Sequence, residues 1–245
     1  MRRLVVLAVL CCAGVVHAHV APSVDDNNRY VKLTPLGDRV RLAYTVFFGQ
    51  VPGAGLRRDL DANHDGTISD DESNAFGAKL AAEVADGLVV EIDGTPQPVT
   101  WTQVVVGMGT PQTAAGAFSV DLVASLCLPS LRGAHHVVLR DRFKLTRPGE
   151  TELKLEDAPG VKVDRANLGG SDTPDHDVKL LGPGGQLSDP GIDVSFTAGP
   201  TAPVTADATC AAPRGARGMW WLYSAFAGAL VAVALVLVGR RRSVE

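Results

Sequence analysis

Six oxygen-bearing residues recur through residues 61–72 at spacings that suit a hard cation. Asp61, Asn63 and Asp65 alternate along the chain, Thr67 and Ser69 continue the alternation, and Glu72 closes it. Calcium takes six to eight oxygens at about 2.3–2.6 Å, so a loop that binds it must wrap short oxygen-bearing side chains around one point. Asp61, Asn63 and Asp65 supply those oxygens at loop positions 1, 3 and 5, and the Thr67 carbonyl faces inward at position 7. Ser69 at position 9 acts directly or through water, and Glu72 at position 12 adds two oxygens at once. Gly66 permits the sharp turn that a side chain would obstruct. A bidentate Glu favours Ca2+ over magnesium, which demands a tight octahedron. The plainer alternative is a polar Asp/Asn/Gly turn that precedes a helix, and His64, at an outward-pointing position, carries no ligand role.

A helix must follow this loop. Ser69 and Glu72 form a capping-box pair, and Ala75, Phe76, Leu80, Ala81 and Val84 recur at helical spacing until Gly87. Loop and exit helix together resemble the EF-hand family, and the resemblance implies calcium binding by Asp61, Asn63, Asp65, Thr67, Ser69 and Glu72. Upstream the match weakens: Pro52, Gly53 and Gly55 break up residues 51–60, which leaves a turn and a half of entering helix over residues 56–60. No second loop of this kind occurs. A lone extracytoplasmic loop is expected to bind weakly, near 10⁻⁴–10⁻³ M, with calcium a structural fastener.

Around this insert the pattern is mostly strand. Residues 39–48 alternate polar and apolar side chains at period two. Residues 88–92, the turn Asp93-Gly94 and residues 99–106 read as a hairpin, because Asp-Gly supplies the positive φ that a tight turn needs. Further strands are expected at 117–126, 136–140, 151–155, 161–163, 178–181 and 192–196. Many short strands separated by Gly and Pro predict a mainly β chain, a β-sandwich ectodomain with the EF-hand-like loop and helix inserted.

The ends carry different information. Arg2 and Arg3 precede an apolar run, and Val16-His17-Ala18 supplies small residues at a processing site, so residues 1–18 read as a secretory signal. Residues 219–238 are 20 positions without a charge, about 30 Å as a helix, with Trp220, Trp221 and Tyr223 clustered at the start and Arg240-Arg241-Arg242 after the end. They read as one C-terminal transmembrane helix. The organisation expected is a signal at 1–18, an ectodomain at 19–196, a tether at 197–218, the span at 219–238 and a cytoplasmic tail at 239–245. The protein is then a single-pass cell-membrane protein whose ectodomain is periplasmic or extracellular. Cys127 and Cys210 remain after removal of the signal, and an even pair in an oxidising compartment suits one disulfide; two independent thiols are the alternative.

Charge narrows the partners. The whole chain of 245 residues has a net charge of −4. Without Arg2, Arg3, Arg240, Arg241, Arg242 and Glu245 it keeps 18 Lys and Arg against 26 Asp and Glu, a net of −8. An acidic middle argues against nucleic acid and suits cations. The expected partners are the calcium ion, the membrane through the C-terminal helix, and another membrane or envelope protein.

Two further readings stand beside this one. Cleavage after Ala18 would leave His19 at a new N-terminus, able to chelate copper if His135, His136 or His176 supplied a further ligand. Residues 28–33, residues 40–44, the calcium loop, its helix and the Asp93-Gly94 turn resemble, in their order, the extracytoplasmic region that precedes some bacterial nickel/cobalt-type metal exporters. That resemblance implies an accessory role beside a membrane partner, or nickel/cobalt handling. No G-x-S-x-G, H-E-x-x-H, Walker or dinucleotide glycine motif is present, so no enzymatic activity is expected. A hydrolase with a scattered site, drawn from Ser125, His135, His136 and Asp141, is the alternative.

Overall fold

The computed structural model describes residues 24–172, 178–182, 187–205 and 210, with backbone alone at 188–190. The chain is mainly β: the described residues form two six-stranded sheets and two helices, an arrangement consistent with a β-sandwich.

The first sheet contains β1 (Asn27–Pro35), β2 (Arg39–Phe48), β5 (Trp101–Gly107), β6 (Phe118–Cys127), β8 (Pro148–Leu155) and β11 (Lys179–Leu181), in the order β11-β8-β1-β2-β6-β5. The second contains β3 (Leu88–Ile92), β4 (Thr95–Gln97), β7 (Gly133–Asp141), β9 (Val161–Leu168), β10 (Ser171–Asp172) and β12 (Leu187–Ala198), in the order β10-β9-β12-β7-β3-β4. All pairings are antiparallel except β1 with β8. Period-two alternation explains the core. Leu42, Tyr44 and Val46 of β2, with Val120, Leu122 and Ala124 of β6, join Val137 and Leu139 of β7 and Val194 and Phe196 of β12 in one buried cluster. Burying a side chain of the Leu or Phe class is worth about 1.5–3 kcal/mol, so this shared face is the main apolar contribution to stability.

Both helices lie between β2 and β3, where the chain passes from one sheet to the other: α1 (Gln50–Leu60) and α2 (Asp70–Gly87). Ser69 caps α2 by accepting from the Glu72 N–H, and the Glu72 carboxylate accepts from the Ser69 N–H, so the predicted capping box is complete. Phe76 carries α2 onto the sheet, its ring 5.7 Å from Phe48 and 5.9 Å from Phe118, and the Trp101 indole donates to the Ala81 carbonyl at 2.7 Å.

Two expectations are corrected. The entering helix is not a turn and a half over 56–60 but the full α1, Gln50–Leu60. Pro52 falls in its first turn, where a missing N–H costs no intrahelical bond, and Gly53 lies so close to the β5–β6 connection that a Cβ there would meet the Gly116 carbonyl oxygen at 2.6 Å. The hairpin after Asp93-Gly94 is β3 with β4, not with residues 99–106. Asp93 and Gly94 do take positive φ, 51° and 75°, but β4 ends at Gln97, before Pro98, and β5 pairs with β6 in the other sheet.

Cys127 and Cys210 form a disulfide across 83 residues of sequence. The segment after residue 196 is not free chain at its start. β12 runs to Ala198, Ala202 is buried, and the Pro203 carbonyl accepts from the Gly37 N–H at 2.7 Å. Among the described residues no helix is long and apolar enough to cross a membrane. Residues 1–18, His19 and 219–245 lie outside the described residues.

Candidate metal centre

The loop of residues 61–72 joins α1 to α2, and its side chains fold back onto its own backbone. Asp61, only 6% exposed, ends α1; its Oδ1 accepts from the Asp65 N–H at 3.1 Å and its Oδ2 from the Gly66 N–H at 2.9 Å. Asn63 Oδ1 accepts from the Asp65 N–H at 2.9 Å, and its amide donates to Asp65 Oδ2 at 3.0 Å. Asp65 Oδ1 accepts from the Thr67 N–H at 2.8 Å and from its hydroxyl at 2.5 Å. Such Asp and Asn turns bend the chain every two residues, which an oxygen cage requires. His64 and Gly66, with φ of 61° and 86°, supply the two left-handed residues of the bend.

Glu72 closes the far side. Its Oε1 accepts from the Ala62 N–H at 2.8 Å, and its Oε2 from the Ser69 N–H at 2.9 Å and the Ser69 hydroxyl at 2.8 Å. The bond from Ala62 ties the end of the loop to its beginning. Bonds from Thr67 chiefly, then from Asn63, hold the Asp65 carboxyl below the usual carboxylate range; bonds from Ser69 chiefly do the same for Glu72. Both therefore protonate at lower pH than a carboxylate without these bonds.

The six sequence-identified residues Asp61, Asn63, Asp65, Thr67, Ser69 and Glu72 are thus held in one loop, but their carboxylates do not converge on one point. Among the described residues no three His, Cys, Asp or Glu side chains form a group that could hold a metal ion. The donor set is all oxygen and suits a hard cation rather than a thiophilic one. Three of about four lone-pair sites on Glu72 already receive N–H or O–H groups, so full bidentate ligation by Glu72 requires it to release part of the Ser69 and Ala62 bonding.

The sequence did not disclose what steadies this loop from outside. The connection between β5 and β6 pairs with it: Thr67 bridges Gln112, the Ile68 N–H donates to the Pro111 carbonyl at 2.7 Å, and the Thr113 N–H donates to the Gly66 carbonyl at 3.1 Å. Ile68 is buried. Arg57 then locks the connection to α1. Its side chain is fully buried, and the guanidinium donates to main-chain carbonyls of Gly116 at 3.0 Å, Thr110 at 2.8 Å, Gln112 at 3.2 Å and Ala117 at 3.4 Å, and to that of Met108. Burial lowers the Arg57 pKa. The guanidinium also stands 5.3 Å from the centre of the Phe118 ring.

The scattered residues of the other readings do not meet. His135 pairs with Asp93 and His136 with Asp193. Asp141 is buried in a separate network, accepting from Arg29 and, at 2.8 Å, from the Tyr44 hydroxyl. That burial and the adjacent carboxylate hold Tyr44 protonated far above the ordinary tyrosine range. Ser125 accepts from Arg39 at 3.4 Å on the first sheet. His19, and His176 with the acidic residues Asp175 and Asp177 beside it, lie outside the described residues. No protein-family model matches the chain, and no curated protein matches its sequence significantly.

Proposed function

We propose that the protein is a calcium-binding, membrane-anchored extracytoplasmic protein, a β-sandwich with an inserted EF-hand-like loop and helix, acting as an accessory or interaction module beside another membrane or envelope protein. The observation that carries the calcium reading is the frame of the loop, in which Asp61, Asn63, Asp65 and Glu72 are each fixed by loop N–H groups at the loop positions a calcium site uses. Ligation by Asp61, Asn63, Asp65, the Thr67 carbonyl, Ser69 and Glu72 would cancel the mutual repulsion of three carboxylates and tighten α1, α2 and the β5–β6 connection together. Calcium is structural in this reading. Anchoring rests on the uncharged run at 219–238 with its aromatic and arginine flanks.

Thermal unfolding of the full chain in detergent tests this. A ligand that binds only the folded state stabilises it by about 2.7 kcal/mol at a hundredfold excess over its dissociation constant. Calcium in the tens of millimolar therefore raises the melting temperature while equal magnesium does not; equal shifts, or none, overturn the reading.

A further inference from the structure

A second cluster lies in and beside the second sheet, well separated in sequence from the calcium loop. Asp93 opens the turn between β3 and β4, His135 lies near the start of β7, and Ser130 lies in the connection from β6 to β7. The His135 Nδ1 is 2.8 Å from Asp93 Oδ2, and its Nε2 is 3.4 Å from the Ser130 hydroxyl. We infer that Ser130, His135 and Asp93 form a nucleophile–base–carboxylate relay able to transfer acyl or phosphonyl groups from activated esters to Ser130.

The carboxylate is held in place before any substrate arrives. Asp93 Oδ1 accepts from the His136 N–H at 2.7 Å, while the Asp93 N–H donates to the His136 carbonyl at 2.8 Å, so both backbone and side chain of Asp93 are tied to the residue next to His135. The ring is fixed as well. The His135 side chain is 1% exposed and packs 5.7 Å, centre to centre, from the buried ring of Phe196. An ionised Asp93 accepts the Nδ1 proton, which leaves the Nε2 lone pair facing the serine. Ser130 is exposed, as is Asp93 on the far side of the buried His135 ring, so a reagent from solvent reaches the nucleophile without entering the core. Its hydroxyl now donates to the Arg132 carbonyl at 3.0 Å, in a turn where Arg132 and Gly133 take φ of 139° and 103°. Rotation of that one O–H bond redirects the proton to Nε2. A separation of 3.4 Å is longer than a working contact of about 2.6–3.2 Å, and such contacts are looser before substrate binds.

The step balances. Ser130 Oγ attacks the carbonyl carbon of an ester, its proton passes to His135 Nε2, and the collapsing intermediate expels the alkoxide, which takes that proton and leaves as alcohol. Water then attacks the acyl-serine by the same route and releases the carboxylic acid. With a fluorophosphonate the Oγ–P bond forms as the P–F bond breaks, the Ser130 proton passes through His135 Nε2 to solvent, fluoride leaves, and the product is stable.

The full chain in detergent, treated with a fluorophosphonate and mapped by peptide mass, tests the relay. The expected result is one label, on Ser130, and none there in Ser130→Ala, a truncation of an exposed hydroxyl that leaves the core alone. Asp93→Asn keeps the turn, since Asn-Gly suits positive φ at least as well, but its amide cannot accept the Nδ1 proton. Labelling of that variant slows on the order of 100-fold or more at unchanged melting temperature. If Asp93→Asn melts lower, the comparison with Ser130→Ala alone decides. No label, a label elsewhere, or an unchanged rate in a folded Asp93→Asn overturns the inference.

Discussion

Replacing Arg57 by Met removes five donors at a stroke and keeps most of the aliphatic stem. The guanidinium is buried, and its partners are the carbonyls of Met108, Thr110, Gln112, Gly116 and Ala117, all on the connection between β5 and β6. Each carbonyl left without a donor in a dry site costs about 1–3 kcal/mol. Those losses do not simply add, because a surface connection admits water when it loosens. Two or three orphaned carbonyls set the expected loss at about 3–5 kcal/mol, among the largest single-residue effects. Arg57→Lys keeps the charge but offers three donors from one point, and should recover less than half of the loss. Urea unfolding of the full chain, followed by far-ultraviolet circular dichroism, measures the change. Hydrogen exchange supplies the location: amides of 108–117 lose protection in Arg57→Met, as do those of Gly66, Thr67 and Ile68. A loss below 1 kcal/mol with protection unchanged would refute the claim that Arg57 clamps this connection.

Asp141→Ala leaves the buried Arg29 guanidinium and Tyr44 hydroxyl without their shared acceptor and should cost about 3–5 kcal/mol by the same unfolding measurement. Reducing Cys127–Cys210 frees a loop of 83 residues; chain entropy puts the loss at about 4.5 kcal/mol as an upper figure, and a melting temperature unchanged by reductant would refute it. Because the pKa values of Asp65 and Glu72 are depressed in the folded loop, their contribution to stability is present above the ordinary carboxylate pKa and is lost as pH falls through the folded values. Stability measured at decreasing pH, without calcium, should therefore fall later in Asp65- and Glu72-intact protein than in Asp65→Asn or Glu72→Gln, and a fall at the same pH in all three would refute it.

Much of the architecture was legible because it is local. Ser69 and Glu72 announce α2 by a bond between residues three apart, and β2 and β6 announce themselves by alternation. The failures have a common cause in contacts between distant parts of the chain. Pro52, Gly53 and Gly55 read as helix breakers, yet Gly53 is what lets α1 approach Gly116. β1 was not singled out as a strand, because Asn27, Asn28 and Arg29 are polar and nonetheless buried, the arginine against Asp141. The partner of the calcium loop, residues 111–113, has no composition that marks it. Ser130 and Asp93 carry no local signal for the same reason: residues 93, 130 and 135 meet only when the β3–β4 turn is laid beside β7. Of that cluster the sequence offered His135 alone, and the Asp-Gly turn only as a turn.

Calorimetric titration of the full chain with calcium, set against Glu72→Gln, tests the central proposal most directly. Gln keeps the size of Glu72 but supplies one oxygen in place of two and no charge. The native chain should bind one calcium with a dissociation constant of about 10⁻⁴–10⁻³ M, and the variant should show no saturable binding in that range. Saturable binding that survives in Glu72→Gln, or none in the native chain at several millimolar calcium, would contradict the assignment of residues 61–72 as a calcium site.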